Sequence, residues 1–431
     1  MRAGLKLCAV VAGGLLCAVL WSAPRLAAQR GGLFMGSADD PAIAYSTAPV
    51  NNAADDLNRR LQDGSVSLTF EGRSGYLQSI VDALKLPVDS QLLLFSKQSL
   101  QARLINPANP RALFFNERVA LGWVRDGELI EIAAHDESAG VVFYTLEQRA
   151  VSRPTLKREF RCLGCHLSGD TLGVPGLLMF STTPEGPDRP MKIVTMDQRS
   201  RLSERWGGWF VTGDVGTARH LGNQVAALDG RPRGQVPSVA GLFDPDGFRA
   251  MSSDVAALLT FSHQTHMTNL LTRASWEARA ADPALHPQTQ AAPDQAERVQ
   301  TMLSGVASEV VDYMLFVDEA PLPNPIVGRS GFAERMSAIG PHDRRRRSLY
   351  QLDLKKRLMK YPCSYLIYSG AFDALPPLAK TPIYKRLWDV LSGDVREPRY
   401  RFLSLADRRA VVEILKDTKP GLPDYFGAVT H

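Results

Sequence analysis

ALFFNERVALGWVRDGELIEIAAHDESAGVVFYTL, residues 112–146, is the stretch that decides the fold. Short apolar runs recur through it: Ala112–Phe115, Val119–Arg125, Glu128–Ile132 and Val141–Leu146. They are rich in the β-branched and aromatic side chains that fit a pleated, half-buried surface. Asp126-Gly127 is a two-residue turn of the kind that closes a hairpin, because both residues tolerate a positive φ. Strands following one another with short links predict an antiparallel meander. His135-Asp136-Glu137, between two of the runs, reads as a polar connecting loop rather than as acid–base machinery.

Working upstream, Gln91–Phe95 reads as a buried strand, and Tyr76–Leu86 as a helix stopped by Pro87. Val66–Phe70 alternates with period two, which predicts another strand, and Ala53–Gln62 is a short helix. Residues 29–150 are therefore expected to form an α+β domain closed by the meander. At the start of the chain, Arg2 and Lys6 precede the apolar run Leu7–Trp21, and Ala27-Ala28 offers small residues for cleavage. That pattern predicts an export signal over residues 1–28, too short in its apolar part for the roughly 20 residues of a membrane span. No transmembrane span is expected after cleavage. Removing Arg2, Lys6 and Arg25 from the formal +5 leaves about +2, too balanced for a nucleic-acid binder.

Downstream, residues 151–250 are rich in Gly and Pro and poor in periodicity, a loop-rich segment. It carries Arg161-Cys162-Leu163-Gly164-Cys165-His166. Two thiols three positions apart, with histidine directly after the second, form the attachment pattern of a covalent haem. On one helical turn Cys162 and Cys165 reach the two vinyl groups of one porphyrin edge, and His166 comes beneath the ring as the iron's proximal ligand. With 5 Cys and 8 His in 431 residues, the pattern arises by chance in roughly one chain in a thousand. A structural zinc site needs a second ligand pair at matching spacing, and no second Cys-x-x-Cys exists. A thioredoxin-like pair has no use for the histidine. Cys8 and Cys17 fall in the signal, so Cys363 alone remains and no disulfide is expected. It reads as a small buried residue.

Arg205-Trp206-Gly207-Gly208-Trp209 lies in the same segment. Trp206 and Trp209 read equally as packing on a haem face or as plain core aromatics, with Arg205 or Arg201 as a propionate partner. Residues 251–431 are expected to be helical, beginning with Asp254–Ala280 capped by Ser253. Further helices are expected at Gln295–Val317, Leu352–Tyr361, Tyr365–Leu375, Pro382–Leu391 and Leu405–Lys416. On the first of them Val255, Leu259, His263, Met267, Leu270 and Ala274 share one face. A histidine there needs a partner, and iron would supply one, so His263 is the expected distal ligand. Met267, His266, His220, Met179, Met191 and Met196 are the other choices. His263 and His266 also make an H-x-x-H pair without a nearby acid to complete a metal site. The run Arg344–Arg347 is a solvated face or a docking point for an acidic redox partner.

On Cys162, Cys165 and His166, together with the export signal, the chain resembles the c-type cytochromes. The resemblance covers a few per cent of the length. It implies one covalently attached haem c, a periplasmic location, a redox partner protein and single-electron transfer. Small single-haem cytochromes are compact helical domains, whereas here a β-rich domain precedes the motif and a large helical region follows it. Di-haem peroxidases carry a second attachment site, absent here. The length of the chain motivates two alternatives: a haem enzyme or small-molecule sensor with an open or displaceable distal site, and a structural subunit of a larger redox complex.

Overall fold

In a computed structural model, residues 32–183, 192–225, 235–286 and 294–427 are described. The expected signal (residues 1–28) and Met191 lie outside them. Six antiparallel strands lie side by side in chain order: β1 Leu92–Leu94, β2 Arg111–Phe115, β3 Val119–Trp123, β4 Leu129–Asp136, β5 Gly140–Glu147 and β6 Lys157–Arg158. Alternation sends successive side chains to opposite faces. One face carries Phe114, Leu121, Trp123, Ile130, Ile132, Tyr144 and Leu146 into a core shared with helices α1 Ala53–Gln62 and α2 Leu77–Ala83. The other face gives Leu92, Leu94 and Phe115 to a second core, built with the helices of the C-terminal half. The fold is thus α+β, with an N-terminal meander, a loop-rich middle and helices after it.

Between the sheet and those helices runs a long helix, Val255–Ala280. After the short turn α3 Leu163–His166 it is α4 of the chain. Its apolar stripe faces α5 Gln295–Met314, and α5 in turn packs on α8 Pro377–Ser392. The opposite stripe, Gln264, Thr265, Thr268 and Thr272, is as buried as the first. It lies against the sheet half, where Gln264 Nε2 donates to the Asn116 carbonyl at 2.7 Å. Amphipathicity does not show here because protein surrounds the helix. Among the described residues no helix is long and apolar enough to cross a membrane.

Several local expectations are corrected. Among the described residues Val66–Phe70 pairs with no strand: only Leu68 is buried, and one anchored side chain does not require a ladder. β4 runs on to Asp136, so His135 and Asp136 sit opposite Val141 and Gly140 in the sheet rather than in a loop. Asp136 accepts from the backbone N–H groups of Asn51, Ser138 and Ala139, which fixes the β4–β5 turn. The cap of α4 is Asp254, not Ser253, whose hydroxyl accepts from Leu93 N–H instead. Leu352–Tyr361 is a series of turns, because the Asp353 carboxylate gathers the N–H groups of Lys355, Lys356 and Arg357. A helix Phe332–Ile339 (α6) stands where none was expected, and α8 begins a turn early, with Pro382 inside it. A capping box of Ser404 and Asp407 opens Leu405–Thr418 (α9), close to the expected Leu405–Lys416.

Candidate functional site

The Glu159 carboxylate accepts from Arg161 N–H at 2.9 Å and starts a short 3-10 turn, Phe160–Cys162, that runs directly into α3. Cys162 and Cys165 therefore fall one helical turn apart. Both are free thiols, Cys162 half-buried and Cys165 exposed. A Cβ added at Gly164, between them, would meet nothing within 4 Å, so that side of the turn faces open space. Burial, aided by Glu131 and Glu159, pushes the Cys162 thiol up to about 11 and keeps it protonated at neutral pH.

His166 is held from one side only. Its Nδ1 lies 2.8 Å from the Gly176 carbonyl, and Gly176 N–H donates back to the His166 carbonyl at 2.9 Å. An imidazole that donates from Nδ1 keeps its lone pair on Nε2, the state a metal ligand requires. Nε2 has no hydrogen-bond partner among the described residues. Burial lowers the ring's pKa, partly offset by the Gly176 carbonyl, which favours the neutral form. Gly176 is itself fixed by α4, where Asn269 donates to the Leu177 carbonyl and accepts from Leu177 N–H, both at 2.8 Å. Glycine is required at 176, since a Cβ would come 2.4 Å from Asn269 Oδ1.

The His166 ring rests against Phe143 of β5, with centroids 4.7 Å apart. The sheet register puts Phe143 on the same face as Ala133, Ala120 and Gly122. These small residues make a flat floor, and Leu113, Ala120 and Ala133 stay partly exposed despite lying mid-sheet. At its edge Arg111 lies flat on Gly122, where a Cβ would sit 2.2 Å from Nη2. Arg111 pairs with Glu131 at 2.7 Å, and Glu131 also accepts from the Ser99 hydroxyl and from Leu100 N–H. Arg111 Nε is buried without a partner. A pair of thiols on one turn, an imidazole with its outer nitrogen free, a flat apolar floor and an unspent N–H donor fit a covalently attached haem. Cys162, Cys165 and His166 would hold it.

The other expected site residues lie elsewhere. His263 is fully buried and both nitrogens are engaged: Nδ1 donates to Gln198 Oε1 at 2.5 Å and Nε2 accepts from the Ser364 hydroxyl at 2.7 Å. The cost of burying this imidazole is met by the Gln198 and Ser364 side chains, so its burial does not call for iron as the expected distal ligand. A His263→Ala protein is therefore expected to keep an unchanged haem absorption spectrum while losing roughly 2–4 kcal/mol in urea denaturation. His266 lies against Arg199 and Tyr313, and His220 accepts from Gly222 N–H. Met267 and Met179 are core residues, and Met196 sulfur takes the Trp206 N–H at 3.4 Å. Arg205 is buried, donating to the Ser200 and Gln198 carbonyls, and forms no ion pair among the described residues. Trp206 and Trp209 are core aromatics, the latter donating to the Phe180 carbonyl at 2.7 Å. Cys363 is buried and its thiol is pushed up to about 12. In the run 344–347, Arg345 and Arg347 pair with Glu413 and Arg344 reaches Asp417, so two carboxylates of α9 offset part of that charge. Among the described residues no group of three His, Cys, Asp or Glu side chains is placed to hold a metal ion, and the H-x-x-H pair gathers no third ligand.

Desolvation holds His263 down at about 3 and His266 at about 4, from an ordinary 6.5. The folded state thus favours the neutral rings. The stability they support is full above about pH 6.5 and is lost as pH falls toward their folded values. The thermal midpoint is expected to drop below about pH 6.5, by roughly 1–2 kcal/mol of stability per histidine at about pH 5, and less steeply in His263→Gln.

Reading the sequence alone missed Phe143, Gly176, Asn269, Arg111 and Glu131. Arg111, Leu113 and Phe115 alternate along β2, but which residues of β4 and β5 face them follows only from strand register. Compared with known protein families, with curated proteins and with solved structures, the chain matches none.

Proposed function

We propose that this chain is an exported mono-haem c-type protein that carries single electrons between partners outside the cytoplasm. The observation that carries the reading is the Cys162–His166 turn, with two free thiols on one helical turn and an imidazole whose Nδ1 is tied to Gly176. Haem bound there supplies a reversible one-electron iron couple. The chain's part is to fix it: the thiols tether one edge, Asn269 and Gly176 set the orientation of His166, and Phe143 with the small-residue floor excludes water from one side. Arg111 offers a buried N–H to an anionic group.

A second reading, a haem enzyme or small-molecule sensor with an open or displaceable distal position, is favoured by the full engagement of His263. Expression in a host that assembles c-type haem tests both. A coloured product with a covalent mass increase supports attachment, and an unmodified mass with no colour defeats it. If the reduced protein then binds carbon monoxide rapidly and stoichiometrically, the simple carrier gives way to the open-site reading.

A further inference from the structure

Away from the Cys162–His166 turn, an open cavity of about 230 Å³ lies where the β2–β3 turn meets α4 and α6. Phe115, Phe332, Met336 and Ile339 form its apolar wall. Most polar groups on the wall are already satisfied by one another. Gln264 donates to the Asn116 carbonyl and accepts from the Tyr365 hydroxyl at 2.9 Å, and Arg335 is held by the Asp89 carboxylate at 2.7 Å. Arg118 is exposed at the rim. Glu117 differs from all of these. The Tyr350 hydroxyl hydrogen-bonds it, and desolvation raises its carboxyl pKa. No Lys, Arg or His pairs with it among the described residues.

A desolvated carboxylate without a counter-ion is an incomplete electrostatic arrangement. Phe115 and Phe332 stand at the same cavity with their ring centroids 5.8 Å apart and offer an apolar surface to a ligand's hydrocarbon. We propose that this cavity binds a small primary amine with an apolar body, its ammonium on Glu117 and its hydrocarbon against Phe115, Phe332 and Met336. An anion would be repelled by Glu117. A pure hydrocarbon would leave the carboxylate as it is, whereas an amine meets both Glu117 and the wall, with the Arg118 head out at the exposed rim. The volume lies below the ~300 Å³ at which drug-sized pockets begin, which limits the ligand to about ten non-hydrogen atoms. Ile339, 54% exposed, marks the entrance. This inference does not depend on haem.

Calorimetric titration of the purified protein with 2-phenylethylamine, against 2-phenylethanol of the same shape, tests it. The amine is expected to bind more tightly than the alcohol. Glu117→Gln should weaken the amine by about tenfold or more and leave the alcohol unchanged, as loss of one charge-assisted hydrogen bond predicts. Ile339→Trp narrows the entrance from an exposed position and should weaken both. No amine binding to the wild type, or equal affinity for amine and alcohol, overturns the proposal. So does an undiminished amine affinity in Glu117→Gln. Should that variant fail to fold, undiminished amine affinity in Ile339→Trp overturns it equally.

Discussion

A protein carrying Cys162→Ser and Cys165→Ser together is expected to emerge folded but without covalent haem. The expectation has two halves with separate causes. Folding should survive because Cys165 is exposed, Cys162 is only half-buried, and neither thiol belongs to either core. Such substitutions change stability by about 0.5 kcal/mol or less when measured against the haem-free wild type. Attachment should vanish because serine cannot form the thioether, and one axial imidazole alone does not survive extraction by acidified acetone. Intact mass and absorbance after extraction measure the outcome. Haem that stays attached to the double variant would remove Cys162 and Cys165 from the account. His166→Ala is the complementary case: it should retain the mass increase and lose the spectrum of an imidazole-ligated iron.

The largest loss of stability is expected at Asp254→Ala. This carboxylate is fully buried at the start of α4, and three N–H groups depend on it. Oδ1 accepts from Ala256 at 2.8 Å, while Oδ2 accepts from Arg329 at 2.7 Å and Ser330 at 2.8 Å. It therefore caps the helix and ties the segment before α6 to it. Truncation leaves one buried and two partly buried donors without this partner and opens a gap beside Gly328, where a Cβ would already sit 2.5 Å from Oδ1. The helix-cap contribution is typically ~1 kcal/mol, and the two further donors bring the expected loss to roughly 3–4 kcal/mol. Urea denaturation should show a lower midpoint with an unchanged slope. Asp254→Asn, which keeps one acceptor oxygen, should lose about half as much.

Much of the fold was legible because its signals are local. The meander follows from its β-rich runs, but the expected two-residue hairpin at Asp126-Gly127 does not form: β3 ends at Trp123 and β4 starts at Leu129, and of the two residues only Asp126 takes a positive φ, 59°. Helices α1 and α9 stand where the sequence reads as helical. Errors arose where tertiary context overrode a pattern: one buried leucine made Val66–Phe70 look like a strand, and the Asp353 turn broke an apparent helix. The proposed attachment motif stands out in the sequence because thioether chemistry would fix its spacing. Its support does not. Phe143, Gly176 and Asn269 come from three separate segments, and nothing in their own neighbourhoods marks them. His263 shows the converse: an apolar helical face correctly implied a buried imidazole, but its partners lie 65 and 101 residues away.

The placement of α4 has a consequence for how the chain comes apart. Most of the helix belongs to the core in front of the sheet, yet Trp276 near its end packs edge-on to Phe34 at 5.3 Å and belongs to the core behind it. One rod thus pins both reservoirs of apolar surface, and neither can melt while the other stays whole. Heating should give a single calorimetric transition whose van't Hoff and measured enthalpies agree. A fragment ending before Val255 should behave as an insoluble, protease-sensitive polypeptide rather than as a small stable domain.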